Sequence, residues 1–453
     1  MTFNITALII ESMIMGNDMT PPADTPTDGS GAVRIPVPVA QQVIWLLAAT
    51  IENQSGYLVP MRWRITGPLD VAALRQALTE IVDAHAILRT RLELTPDGMV
   101  GVLRPVSDFV LREHGESDPE KVDALCLTEA VKPIDVETDL PIRALLVCLG
   151  PETHVLSIVV HHMAFDGGSR DILYREIEAN YRELAAGRSV LRRGDSPQFR
   201  ELMIAEEQAE RDASADERCA YWRRALVGLT RFEIPSDRPR PPYRAGFGAS
   251  LRFEVPKPAV DALAGVALRS RATLHMALVA TCMAVLGRRS GRSDVTIGTT
   301  YSRRSEAAFS AVIGPLTNMI MLRVDISGDL EFGELLSRVR EVALDAYEAR
   351  EVPLSTVVDL AGGHHDESRT PLFGVVVDLV ARPRTVPVLA GLTVTELPDL
   401  CVGSKHDLSI AFDNSGDALQ CMLVWDTALY ETASMERLGD DLRAAILDAA
   451  GES

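Results

Sequence analysis

Between Pro235 and Pro242 the chain reads Pro-Ser-Asp-Arg-Pro-Arg-Pro-Pro, and no helix or strand can run through it. Each proline fixes its own backbone and removes a hydrogen-bond donor. The 453 residues are therefore cut into two halves of about 200 each, both within ordinary domain size. On either side the pattern is the same. A strand over Gly56 to Ile65 leads to a helix that Asp70 caps, with Val71, Leu74, Leu78, Ile81 and Val82 on one face. A strand over His154 to Val160 leads through a Gly-containing loop to a helix from Ser169 to Ala186, which Gly187 ends. After the proline segment come a strand over Ser250 to Val255 and helices over Pro258 to Leu268 and Leu274 to Leu286. The fold class is thus α/β, in two lobes. The expected divisions are a disordered leader over 1–34, lobes over 35–190 and 250–453, and a crossover with the connector over 191–249. The cleft between the lobes is the natural place for a site.

Charge and composition remove several function classes. With 45 Lys+Arg against 64 Asp+Glu the net charge is -19, which disfavours a nucleic acid partner. Local basic groups at Arg188, Arg192 and Arg193, and at Arg223 and Arg224, read as solvated helix ends. No apolar run approaches the roughly 20 residues of a membrane-spanning helix. Glu11 breaks the apolar stretch Ile5 to Met15 and no basic residue precedes it, so no signal peptide is read and the cytoplasm is the expected compartment. Cys126, Cys148, Cys219, Cys282, Cys401 and Cys421 are far apart, without a Cys-x-x-Cys pair, and read as small core residues.

The chemistry concentrates where a strand ends, in Val159-Val160-His161-His162-Met163-Ala164-Phe165-Asp166-Gly167-Gly168. Adjacent side chains on extended backbone point to opposite faces, so only one of His161 and His162 can face a given cleft. That geometry weakens a metal site, since the two imidazoles cannot converge on one ion without a sharp bend. By themselves the residues leave two readings open, satisfied core histidines beside an Asp-Gly turn or one working imidazole with one supporting it.

The stretch His161 to Gly167 resembles the His-His-x-x-x-Asp-Gly motif of the condensation domains of nonribosomal peptide synthesis, within the chloramphenicol-acetyltransferase-like acyltransferases. Four further segments are similar to that family in the same order, so the likeness runs from about Pro38 to Leu442. Pro38 to Trp45 resembles the opening motif, with Pro38 and Val43 replacing the usual Ser and Arg; Ala84 to Thr90 keeps His, Leu, Arg and Thr. Val312 to Asn318 resembles Ile-Gly-x-x-x-Asn, and Ser368 to Phe373 resembles Ser-Arg-Asn-Pro-Leu-Phe.

The resemblance implies a pseudo-dimer of two acyltransferase-like lobes with an active-site tunnel between them. It implies a donor on the phosphopantetheine of an acyl or peptidyl carrier protein, supplied in trans, and a small-molecule amine or alcohol acceptor; the enzyme itself holds no cofactor or metal. His162 is the candidate base, or a group that orients the nucleophile and binds the oxyanion. Asp166 is expected to be architectural and paired with Arg304, although neighbouring Arg303 leaves the register open. His161 supports, Gly167 permits close approach, and Gly168, where many members carry Trp, is expected to widen the tunnel for a larger acceptor. Tyr301, Ser302 and Asn318 are candidate tunnel groups. His275, His364, His365 and His406 are read as structural. With no length left for further synthetase domains, a free-standing enzyme is expected, akin to those that esterify an enediyne core, with a local basic patch over Arg188 to Arg193 for the carrier. The alternatives are an acyltransferase using coenzyme A and a non-catalytic carrier-docking module.

Overall fold

A computed structural model of the chain describes residues 25–26, 33–96, 98–190, 198–212, 215–305, 307–363, 366–380, 386–398 and 403–451. The strands of the first half are β1 (Thr25–Pro26), β2 (Val33–Pro36), β3 (Leu58–Thr66), β4 (Thr90–Thr95), β5 (Gly98–Leu103), β6 (Leu111–Gly115), β7 (Ile142–Gly150) and β8 (Thr153–His161). Those of the second half are β9 (Gly248–Pro256), β10 (Asp294–Ser302), β11 (Thr317–Asp325), β12 (Val375–Val380), β13 (Thr393–Glu396), β14 (Leu408–Asp413) and β15 (Ala418–Asp426). They form a five-stranded sheet, β13-β3-β8-β7-β6, a six-stranded sheet, β11-β10-β12-β14-β15-β9, and a small one, β1-β2-β5-β4.

Each large sheet buries an apolar face under helices whose patterning matches it. In the first half, Leu74, Leu78, Ile81 and Val82 of the helix Val71–Ala84 and Ile172, Leu173, Ile177 and Tyr181 of the helix Gly167–Ala185 share one core with β3, β7 and β8. The Asp70 carboxylate accepts from the Ala73 N–H and caps the first of these. Gly187 closes the second at φ +69°, a left-handed backbone that favours glycine. In the second half, helices Lys257–Arg269, Leu274–Ser290, Phe332–Glu348 and Thr432–Ala450 cover the six-stranded sheet around Leu278, Leu286, Leu336 and Leu442. No single helix among the described residues is long and apolar enough to cross a membrane.

Two features depart from the expected divisions. Thr25–Pro26 and Val33–Pro36 pair as strands, and β2 continues onto β5, so the described part of the 1–34 leader is ordered by a sheet edge. The remainder of the leader lies outside the described residues. The division at residue 250 is also not clean. Strand β13, from the second half, pairs with β3 from Thr393↔Thr66 to Glu396↔Trp63, and Phe309, Val312, Ile313 and Leu316 join the core of the first half. Conversely, Trp222, Leu226, Phe232 and Ile234, which precede the connector, join the core of the second half. The Pro235–Pro242 connector has no regular structure and is pinned by the bidentate pair of Arg240 with Asp407, at 3.0 and 2.6 Å.

Candidate active site

The site is built at the end of β8, where Leu58 pairs with His161 and the chain leaves the sheet. The His162 N–H donates to the Tyr57 carbonyl at 2.8 Å, and the Ala164 N–H to the His161 carbonyl at 2.9 Å, which turns the backbone sharply. Gln41 holds this turn from outside. It is buried, and its Nε2 donates to the Met163 carbonyl at 3.0 Å, which gives the opening Ala-Gln motif a physical role.

The two histidines separate as the alternation of extended backbone requires. The buried His161 ring accepts the Met163 N–H on Nδ1 at 3.1 Å, and burial lowers its pKa to about 4. It is thus a neutral supporting group. Because the folded pKa lies below the ordinary 6.5, the unfolded chain binds this proton first. Its stabilising contribution is complete above about pH 6.5 and is lost as the pH falls toward 4, by about 2 kcal/mol at pH 5. Denaturant melts at pH 7.5 and 5.0 should show this slope, and His161→Asn should flatten it; an unchanged slope in the variant would exclude His161 as its source.

His162 projects the other way, and its Nε2 lies 3.1 Å from Nζ of Lys405. Burial, then the positive charge of Lys405, holds its pKa well below the usual imidazole range, while a hydrogen bond to the Phe165 backbone acts in the opposite sense. Lys405 was missed in the sequence, where the Lys405-His406-Asp407 stretch reads as structural. A signal was present. The sequence has only four lysines, of which Lys121 and Lys132 are exposed and Lys257 is partly so.

Asp166 caps the helix Gly167–Ala185 and joins the two halves. Its Oδ1 accepts from the Ser169 N–H at 2.8 Å, the Ser169 hydroxyl at 2.8 Å and Arg304 Nη2 at 2.7 Å; its Oδ2 accepts from the Leu316 N–H at 3.1 Å and the Thr317 hydroxyl at 3.2 Å. Arg304 also donates to the carbonyls of Val312 at 2.6 Å, Gly314 at 3.1 Å and Phe309 at 3.3 Å. The register left open by the double arginine is thereby decided, since the Arg303 guanidinium lies over the Phe309 ring at 5.6 Å instead. Gly167 is the first residue of the helix.

Gly168 requires a correction. A Cβ placed there would lie 2.2 Å from both Cδ and Nε of Arg304, so the missing side chain makes room for the arginine and does not widen a tunnel. Gly168→Ala should push Arg304 off its partners and cost about 1–3 kcal/mol, measurable by chemical denaturation. A wild-type midpoint would show that the arginine has another place to go.

Three adjoining cavities run between the halves. The first, of about 310 Å³, is lined by Lys405, Asp378, Thr300, Arg252, Ser409 and Met319. The second, of about 420 Å³, shares Arg252 and Met422 with it and is lined by Arg170 and by Glu396 of the crossing strand. The third, of about 490 Å³, shares Met319 with the first and is largely apolar, with Val43, Ile44, Leu47 and Leu316 in its wall. Val43, which stands where the family has Arg, adds no charge to this wall, whose charged members are Arg303 and Glu351. His162 lines none of the three; Lys405 stands between its ring and the first cavity.

The candidate tunnel residues divide. Asn318 lines the third cavity, with its amide donating to the carbonyls of Arg350 at 3.0 Å and Val352 at 3.4 Å. Tyr301 lies under the Arg350 guanidinium at 5.1 Å and lines none of these cavities. Ser302 is exposed, and its hydroxyl accepts from the Arg304 N–H at 3.4 Å, so it is not a tunnel group. His275 is held by Thr299 at 3.1 Å and Tyr347 at 3.3 Å. His406 lines the first cavity, and burial pushes its pKa down to about 3. Arg188 is exposed and paired with Glu183 at 2.6 Å, and Arg223 and Arg224 are exposed near a helix end; Arg192, Arg193, His364, His365 and Cys401 lie outside the described residues. Among the described residues no group of three or more His, Cys, Asp or Glu gathers as a metal site.

Known proteins share both the sequence pattern and this architecture. A family model described as Condensation domain matches residues 33–452. One of the linear gramicidin synthase subunits of Brevibacillus parabrevis is 30% identical over 419 residues, covering 89% of this chain and 8% of the synthase. CymA of Salinispora arenicola, a probable nonribosomal peptide synthetase, is 33% identical over 425 residues, covering 90% and 5%. The chain thus spans less than a tenth of the length of these relatives. Among solved structures, the X-domain in complex with OxyB from teicoplanin biosynthesis superposes with TM-score 0.84 at 26% identity, covering 96% of each chain. SgcC5 from Streptomyces globisporus superposes with TM-score 0.73 at 20% identity, covering 99% of this chain and 98% of the other.

Proposed function

The chain belongs to the condensation-domain family, and from that membership we propose that it transfers an acyl or aminoacyl group from the phosphopantetheine thioester of a carrier protein to an amine or alcohol. The single observation that carries this reading is His162, held uncharged just past the end of β8, with only Lys405 between its ring and the first cavity. The acceptor nitrogen or oxygen attacks the thioester carbonyl, its proton passes to the imidazole, and the carbon–sulfur bond breaks. That proton then leaves on the sulfur as a free thiol. The product is an amide or an ester. The expectation of a larger acceptor loses one support, since Arg304 fills the space at Gly168.

The test is turnover with the same acyl group offered on a carrier protein and on coenzyme A, the product identified by mass spectrometry. The carrier-loaded donor should react faster. Equal rates would favour the coenzyme-A alternative. The likeness to the X-domain, solved with OxyB, and the contact of Lys405 with Nε2 favour one second reading, a docking module that binds a partner without catalysis. Tight binding of a loaded carrier or other partner with no product from any donor would establish it in place of the first.

A further inference from the structure

A desolvated lysine in contact with the ring that the reaction needs asks for an explanation. Lys405 and His162 are 243 residues apart, yet Nζ and Nε2 meet at 3.1 Å. Lysine has no acceptor when charged, so an ammonium at this distance donates to the imidazole lone pair. The tautomer is then set, with Nε2 bare and the other nitrogen protonated toward the Phe165 backbone. The ammonium also stands where an attacking amine or alcohol has to place its own N–H or O–H. Behind it, Asp378 of β12 lines the same cavity, held by the Thr300 N–H and hydroxyl, both at 2.7 Å. Its negative charge supports the ammonium against the cost of burial.

Resting on the acyl-transfer reading above, we propose that Lys405 is the positioning residue for His162: its ammonium holds the ring in the neutral tautomer that the reaction uses, and the Asp378 carboxylate receives the ammonium when the acceptor takes its place on Nε2. The charged and titratable groups facing this pair are Arg170 from the helix Gly167–Ala185, His161 at the end of β8, Asp378 on β12, Arg252 on β9 across the first cavity, His406 beside Lys405, and Arg244, which donates to the Lys405 carbonyl. Arg170 is of the sign that keeps His162 uncharged, and Lys405 adds to it, while His161 is neutral at working pH. The cost is built in. Once His162 has accepted the acceptor's proton it is a cation, so Lys405 must have moved toward Asp378 first.

The experiment uses the full chain labelled with 15N-histidine, with the His162 signal assigned by its loss in His162→Ala. In the wild type that imidazole should stay neutral as the pH falls from 8 to about 5. Lys405→Met should raise its pKa by about 1 to 3 units, and Lys405→Arg, which keeps the charge, should not. Turnover of a carrier-loaded thioester should carry the same mark, with the acid limb of the pH profile moved up in Lys405→Met and unmoved in Lys405→Arg. A Lys405→Met chain whose imidazole titration and acid limb match the wild type would overturn the proposal. The titration needs no substrate. A shifted titration in a protein that makes no product from any donor would uphold the positioning role while defeating the acyl-transfer reading.

Discussion

His162→Ala should lower product formation from a carrier-loaded thioester by about 10²–10⁴-fold, the range expected when a positioned acid–base group is lost. An oxyanion-binding role would give a loss of similar size, so the size alone does not separate the two. The fold should survive. The backbone bond of residue 162 to the Tyr57 carbonyl is kept in the variant. The measurements are product by mass spectrometry and a denaturant melt of the same preparation. Turnover equal to the wild type would remove His162 from the reaction and with it the proposed function. A loss of both turnover and folding would be answered by His162→Gln, which keeps a polar side chain of similar reach.

Asp166→Ala or Arg304→Met should destabilise the protein by about 3–5 kcal/mol, the cost of leaving one member of a buried ion pair uncompensated. The side chains are 5% and 13% exposed, and the carboxylate accepts from five donors, so little water is available to replace a lost partner. The effect reaches beyond one contact. Asp166 caps the helix that follows the His161–His162 turn, while Arg304 gathers the carbonyls of Phe309, Val312 and Gly314 from the other half. Equilibrium denaturation should show both single variants lowered, and the double variant lowered by less than the sum, because the two remove one shared interaction. Wild-type midpoints in both singles would sink the architectural role. Since Asp166 makes no contact with the His162 ring among the bonds described, any fall in turnover should follow the fall in folded protein.

Much of this protein is written locally. The helix that starts after Asp70, the strand ending at His161, the turn at Gly187 and the break at Pro235–Pro242 each depend on neighbours within a few residues, and each was legible for that reason. The same holds for the opposed directions of His161 and His162, which follow from extended backbone alone. The motif order carried the family, and through it the pairing of Asp166 with Arg304.

What the sequence did not disclose depends on distance. Lys405 reaches His162 across 243 residues, Arg304 occupies the space above Gly168, and β13 leaves its own half to pair with β3. No periodicity or cap encodes such contacts, because they arise only when two separately patterned sheets are packed and their loops are forced into one volume. The chain by itself determined its elements and the residue on which the proposed chemistry turns; the packing of one half against the other decided what that residue touches, and hence its protonation state.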